Sequence, residues 1–254
     1  MKVVTIANFK GGCGKTMTAY NLGMILAGEG LRTLLVDLDP QANLTARFSL
    51  GRAEFTLADV LGGVPDVTMR MALFEVGNDG FLHLCPSEFQ LTNVAVGLLS
   101  DAVRGRTALA RALRSVADDY DVVLVDCPPE AGILLVNALL AADGVLLPAE
   151  PEPAALAGVQ RVVEIVAMIR TEFERERPVV LGTLATRVDL RTNRHADGLA
   201  IMRASTLAPL VAEIPLRNGD GRDRALLDAY EPVADRVCQW LAEGVTGKVS
   251  EAPC

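Results

Sequence analysis

The chain has 254 residues, half of them apolar, with 24 basic and 32 acidic side chains and a formal net charge of −8. That length and composition can bury one full α/β core without a second domain, and the acidic balance excludes wholesale attraction to nucleic acid, so any such contact must come from a local basic patch. Five cysteines (Cys13, Cys85, Cys127, Cys238 and Cys254) are odd in number and lack paired C-x-x-C spacing, which argues against a disulfide framework and a zinc site. With no signal peptide and no run of about 18 apolar residues, the expectation is a reduced, cytoplasmic protein that does not enter a membrane.

Val3 to Asn8 is a short run rich in β-branched residues and reads as a strand; helical apolar spacing takes over from Thr16 to Leu26. Arg32 to Asp39 is a buried-type strand ending in acids. Residues 45–80 are looser, with a short helix signalled by Thr56 as N-cap and Asp59 in the first turn. Phe81 to Cys85 is a strand closed by Pro86, Thr107 caps a helix through Val116, and Asp121 to Asp126 is another continuous apolar strand. Ile133 to Ala141 is an apolar helix, Gly144 to Pro148 a strand, and Ala155 to Phe173 a long helix. Val179 to Ala185 is a strand, followed by a helix near 195–205, a short strand from Val211 to Ile214, a helical turn from Arg224 to Ala229 and a last helix from Pro232 to Ala242. Residues 1–243 are therefore expected to form a single domain and 244–254 a flexible tail. Strands alternating with helices make right-handed βαβ units, which predict a doubly wound α/β fold: a mainly parallel sheet with helices on both faces. Ligands of such folds gather at the carboxyl ends of the strands, where Asn8, Asp39 and Asp126 fall.

The chain uses Arg twenty times and Lys only four, yet two of the four lie in Lys10-Gly11-Gly12-Cys13-Gly14-Lys15-Thr16. Between a strand and a helix, Gly11, Gly12 and Gly14 let the backbone curl around an anion so that successive N–H groups, including those of Cys13 and Met17, point at phosphate oxygens. In a loop of this kind Lys15 supplies charge to the β- and γ-phosphates and the Thr16 hydroxyl ligates Mg²⁺. The strict pattern G-x-x-x-x-G-K-[ST] would place a glycine at position 9, where this chain has Phe9.

The variant K-G-G-x-G-K-T resembles the signature of the ParA/MinD group of P-loop ATPases, of ParA/Soj type. The resemblance implies that ATP and Mg²⁺ are the cofactors and that Lys10 reaches across an ATP-bound homodimer to the partner's nucleotide. It also implies that Lys10, Lys15 and Asp39 are the catalytic set. Asp126, which closes a strand before Cys127-Pro128-Pro129, resembles the Walker B aspartate that holds Mg²⁺ through water. Asp37 and Asp39 in V-D-L-D-P-Q resemble the group's second acidic motif; two residues apart on a strand they share one face, with Asp39 expected at the attacking water and Asp37 in the outer shell of the metal. Ile214-Pro215 resembles the segment beside the adenine, and Thr186 to Thr192 resembles the late T-x-x-D-x-R-T segment. Met17 departs from the group pattern, which commonly has a second Thr holding the α-phosphate; Thr18 and backbone amides are the available substitutes.

Between Arg187 and Arg224 there are seven arginines against five acids, a local balance of +2 that leaves −10 for the rest of the chain. Members of the group bind DNA without sequence preference through basic residues of the C-terminal part, and Arg191, Arg194, Arg217, Arg222 and Arg224 are the candidates here. The expected function is therefore an ATP-dependent dimerisation switch, nucleoid-associated when ATP-bound, which segregates plasmid or chromosome DNA with a ParB-like partner. Two alternatives stand beside it: a positioning ATPase for another cargo, including a MinD-like membrane switch, and a metabolic relative such as an ATP-dependent amide ligase or the nitrogenase iron protein. The C-terminal stretch, with Lys248 its one basic residue, lacks the basic amphipathic helix of the membrane switch. Neither Cys85 nor Cys127 lies in a convincing cluster motif.

Overall fold

The computed structural model describes residues 1–48, 51–77, 80–216 and 224–246, the last three by their backbone alone. Strand β1 (Lys2–Ile6) leads through the glycine loop into α1 (Lys15–Gly28), and β2 (Thr33–Asp37) follows. Helix α2 (Leu57–Gly62) opens at the expected N-cap, Thr56, and the structure adds a reciprocal capping box: Thr56 accepts the Ala58 N–H, and Asp59 accepts the Thr56 N–H. After β3 (Phe74–Glu75), β4 (Leu82–Cys85), α3 (Leu91–Ser100) and α4 (Ala108–Arg114), strands and helices alternate to the end of the chain. The remaining elements are β5 (Val122–Asp126), α5 (Ile133–Ala141), β6 (Gly144–Ala149), α6 (Pro153–Glu172), β7 (Val179–Val188), α7 (Asn193–Arg203), β8 (Leu210–Pro215) and α8 (Arg224–Thr246).

The eight strands form one sheet in the order β3-β4-β2-β5-β1-β6-β7-β8, parallel throughout except for the β3–β4 pair. Strands buried on both faces need continuous apolar sequence rather than alternation, which is what Val-Val-Leu-Val in β5 and Leu-Leu-Val in β2 supply. The period of two still divides them between two cores. Val4, Ile6, Leu35, Leu124 and Leu146 face α1 and α8, whereas Val3, Val36, Val123, Val125 and Leu147 face the layer containing α5 and α6. The doubly wound α/β architecture follows, with β1 central and its carboxyl end between those of β5 and β6.

Three expectations differ from the structure. Helix α3 was not foreseen, because its sequence, Leu-Thr-Asn-Val-Ala-Val-Gly-Leu-Leu-Ser, has no side-chain cap at its start and leaves Val96 and Leu99 exposed. Thr107 does not cap α4 with its side chain; Asn137 of α5 takes that role, its Oδ1 accepting the Leu109 N–H at 3.1 Å while its Nδ2 donates to the Gly105 carbonyl at 2.7 Å. The last helix is one element that runs through Pro232. A proline there costs one backbone hydrogen bond, but Tyr230, Val233, Ala234 and Val237 on the buried face of α8 pack against α1 and the sheet, and that burial outweighs the loss. The helix extends to Thr246; residues 247–254 of the expected tail lie outside the described residues.

Candidate functional site

The glycine loop is built by anchors on three neighbouring segments. Asn8, buried just after β1, donates from Nδ2 to the Pro148 carbonyl at 2.8 Å and accepts the Lys10 N–H on Oδ1 at 3.1 Å. Thr186 at the end of β7 donates its hydroxyl to the Cys13 carbonyl at 2.7 Å. Gly14 has a φ of +90° and lies so close to Thr186 that a Cβ there would meet the threonine methyl at 3.2 Å, so both conformation and contact demand glycine. The loop thus delivers the first turn of α1 with no side-chain cap and no acidic residue in it, leaving its N–H groups and the helix dipole available to an anion.

These groups open into a cavity of about 680 Å³ lined by Gly11, Gly12, Gly14, Lys15, Thr16, Met17 and Asp39, with Gln41, Asn43, Arg47, Phe89 and Glu130 among the other walls. Lys15 is buried and donates to the Lys10 carbonyl at 3.2 Å, a contact a phosphate oxygen could replace. Lys10 does not line this cavity. Its ammonium turns instead to the β6–α6 turn, pairing with Glu150 Oε2 and, at 3.0 Å, with Glu152 Oε2. Burial works against the charged form of Lys10, but the two carboxylates outweigh it and hold the ammonium above its ordinary pKa.

Below the loop, parallel pairing sets Asp37 directly beside Asp126 at the ends of β2 and β5, both fully buried. They differ in what they touch. Asp37 Oδ2 accepts from the Thr45 N–H at 2.8 Å and the Thr45 hydroxyl at 2.7 Å, and Oδ1 accepts the Asp39 N–H at 3.2 Å. Burial nevertheless pushes the Asp37 carboxyl up to about 6, against the pull of those bonds. Neither oxygen of Asp126 has a hydrogen-bond partner of good geometry, although the Thr16 hydroxyl lies near enough to act on the carboxyl. Burial and the neighbouring Asp37 push this carboxyl well above the usual carboxylate range, while Thr16 and Lys15 pull the other way. A buried carboxylate with unused oxygens, next to a hydroxyl and an ammonium, fits a divalent cation bound with phosphate: Thr16 and Asp126 could hold it, with Asp37 bracing the segment from Leu38 to Thr45. Asp39 lines the cavity with Oδ1 accepting the Gln41 N–H at 2.9 Å, so it can face a water near the terminal phosphate.

Several expected residues lie apart from this centre. Cys13 contributes backbone only, since its side chain is fully buried. Pro215 ends β8, two strands away from β6, and is not among the residues lining the cavity. Thr18 cannot stand in for the missing threonine at Met17, because it is buried with its hydroxyl 3.4 Å from that of Tyr230. Among the described residues the candidate arginines do not form one free patch. Arg191 clamps Asp189 at 2.6 Å and holds that carboxyl down at about 2; Arg194 lies 3.5 Å from Glu152; Arg224 is exposed at the start of α8; Arg217 and Arg222 lie outside the described residues. Cys85 and Cys127 are fully buried, and burial pushes both thiols up, away from the thiolate a cluster would require. The Glu150–Glu152 pair escaped the sequence reading, although Pro-Ala-Glu-Pro-Glu at a strand end beside β1 was its visible signal.

Comparisons with known proteins agree with this geometry. The AAA domain family model matches residues 1–177. Soj, the sporulation initiation inhibitor protein of Bacillus subtilis, is 37% identical over 194 residues, covering 76% of this chain and 75% of its own. The chromosome partitioning protein ParA of Caulobacter vibrioides is 36% identical over 197 residues, covering 76% and 72%. Among solved structures, cobyrinic acid a,c-diamide synthase from Mycobacterium smegmatis with bound ATP analog and magnesium superposes with a TM-score of 0.83 at 32% identity, over 96% of this chain and 97% of that one. Relatedness of this extent places the protein plainly: the chain belongs to the AAA domain family, in its ParA/Soj-type group of partition and positioning P-loop ATPases.

Proposed function

We propose that the chain is an ATP-driven dimerisation switch that binds DNA without sequence preference and hydrolyses ATP to segregate a DNA cargo with a ParB-like partner. The observation that carries this reading is the division of labour between the two loop lysines. Lys15 lines the cavity of its own chain, whereas Lys10, on the same loop, stays out of it and pairs with Glu150 and Glu152, which supports reading Lys10 as serving a site other than its own chain's cavity. The Soj and ParA relatives support the cargo and the partner.

In this mechanism the loop N–H groups and Lys15 hold the phosphates, and Thr16 and Asp126 hold Mg²⁺. Held by these residues, Mg²⁺ would supply positive charge to offset that of the phosphates. Asp39 accepts a hydrogen bond from the attacking water and orients it in line with the γ-phosphorus, while Lys15 and the partner's loop lysine stabilise the transition state. Hydrolysis then requires the dimer, and nucleotide state times assembly. Asp37 acts through the Thr45 segment rather than as a direct ligand, its oxygens being taken by three local donors.

Retention of the protein on non-specific DNA with ATP, ADP or no nucleotide tests the switch: binding that is absent, or indifferent to nucleotide, overturns it. Lys10→Ala should lose dimerisation and hydrolysis yet keep monomeric ATP binding, and unchanged turnover in that variant refutes the cross-dimer role. The synthase of similar structure supports a second reading, an ATP-dependent amide ligase. That reading predicts turnover dependent on a small carboxylic acid and an ammonia donor, which the switch does not show. Liposome sedimentation with ATP checks the membrane-switch variant; among the described residues no helix is long and apolar enough to cross a membrane.

A further inference from the structure

We infer that Glu150 and Glu152 form a same-chain latch on Lys10, which must open before the lysine can serve a second copy of the chain. The inference rests on the cross-dimer role of Lys10 proposed above and deepens it.

The β6–α6 turn carries both acids, with Glu152 as the N-cap residue of α6, and each presents its Oε2 atom to Lys10. Their other oxygens face two arginines and a histidine. Glu150 Oε1 is 3.0 Å from Arg187 Nε, and Glu152 Oε1 is 3.5 Å from Arg194 and 3.7 Å from His195 Nε2. His195 Nδ1 accepts the Asp189 N–H at 3.0 Å, which leaves its proton on Nε2, toward Glu152. Arg187 reaches this position through a left-handed backbone, φ +53°, at a register shift between β7 and β8.

This arrangement makes the lysine exchangeable. Removing one partner from a buried ion pair is expensive because it strands a charge. Here each acid keeps a cation on its second oxygen when Lys10 leaves. The backbone N–H of Lys10 is meanwhile held by Asn8, an anchor that nucleotide does not displace, so the long side chain can swing from a fixed base. A binding-competent conformer that is fractionally populated lowers the apparent affinity by that fraction, so the latch sets the threshold for dimerisation. Two partly exposed pairs of this kind predict a threshold raised about threefold to tenfold.

The test is sedimentation velocity of the full chain across protein concentration, at saturating Mg²⁺ and a non-hydrolysable ATP analogue. Glu150→Gln with Glu152→Gln should dimerise at about threefold to tenfold lower concentration than the wild type, with unchanged nucleotide affinity of the monomer. The gain should vanish when Lys10→Ala is added. Glu150→Asp with Glu152→Asp, which keeps both charges but withdraws each by one methylene, should shift the midpoint in the same direction by less. A wild-type or weakened midpoint in either folded pair of variants overturns the latch. A Lys10→Ala protein that dimerises like the wild type instead overturns the cross-dimer reading itself, so the two failures are separable.

Discussion

Asp126→Asn should make the nucleotide-free protein more stable while abolishing the stabilisation conferred by Mg²⁺ and nucleotide. The wild-type carboxyl is fully buried, has no hydrogen-bond partner of good geometry and lies beside a second buried acid. Its native-state cost is bounded, because the group can take up a proton. From an ordinary Asp value near 3.9 to a buffer at pH 7.5, that bound is about 5 kcal/mol at about 1.4 kcal/mol per unit. An unpartnered Asn amide in the same place returns about 1–3 kcal/mol of cost. The net gain is therefore at most about 2–4 kcal/mol, a rise in Tm of no more than roughly 5–15 °C for a chain of this size.

The sign follows from proton binding. A carboxyl raised in the native state binds more protons there than in the unfolded state, so it destabilises the protein as pH rises from the unfolded pKa toward the folded one. The variant's advantage should therefore shrink on acidification and approach zero near pH 5.5, about two units lower at about 1.4 kcal/mol each. Asp37, pushed up to about 6, has the same sign between about 4 and 6 and remains in both proteins, so each keeps that part of the slope. Thermal unfolding in EDTA at pH 5.5 and 7.5, repeated with Mg²⁺ and an ATP analogue, measures all of this. A Tm at pH 7.5 equal to or below the wild type, or a gain independent of pH, would falsify the account of Asp126 as an uncompensated buried acid.

Gly158→Ala on α6 would place a Cβ 2.2 Å from Asn8 Oδ1, the atom that holds the Lys10 N–H; overpacking of about 1–3 kcal/mol should lower Tm by several degrees and weaken binding of a fluorescent ATP analogue, and an unperturbed Tm sinks this contact. Met17→Thr places a donor at the cavity wall, and one hydrogen bond to the anionic α-phosphate, about 1.5 kcal/mol or more, predicts at least roughly tenfold tighter ATP binding by calorimetry; unchanged or weaker binding shows that Met17 is no deficit. Arg224→Ala should weaken DNA binding uniformly and reduce the slope of log K against log salt by about one, whereas Arg191→Ala, whose guanidinium is clamped by Asp189, should do less. Equal losses in filter binding across a KCl series would show that the Asp189 pair opens on DNA.

Local chemistry accounts for what could be read early. The strand-end positions of Asp37, Asp39 and Asp126 are legible because parallel strands buried on both faces are continuous apolar runs, and polar residues appear only where they end. The capping box at Thr56 and Asp59 is legible because its partners are three residues apart. Helix α3 was not, since it begins without a capping side chain. The continuity of α8 was not, because a proline is a local signal whose cost is outweighed only by packing against α1.

Sequence alone determined the α/β class and the phosphate loop, since both depend on residues near one another along the chain: the period of the apolar pattern, and three glycines between a strand and a helix. Tertiary structure decided which residues share the site. Only the sheet order puts β6 next to β1 and so brings Glu150 and Glu152 to Lys10 from 140 residues away, and only parallel pairing sets Asp37 against Asp126. A carboxylate's role is set by which donors and charges surround it, and those neighbours come from elements far apart in sequence.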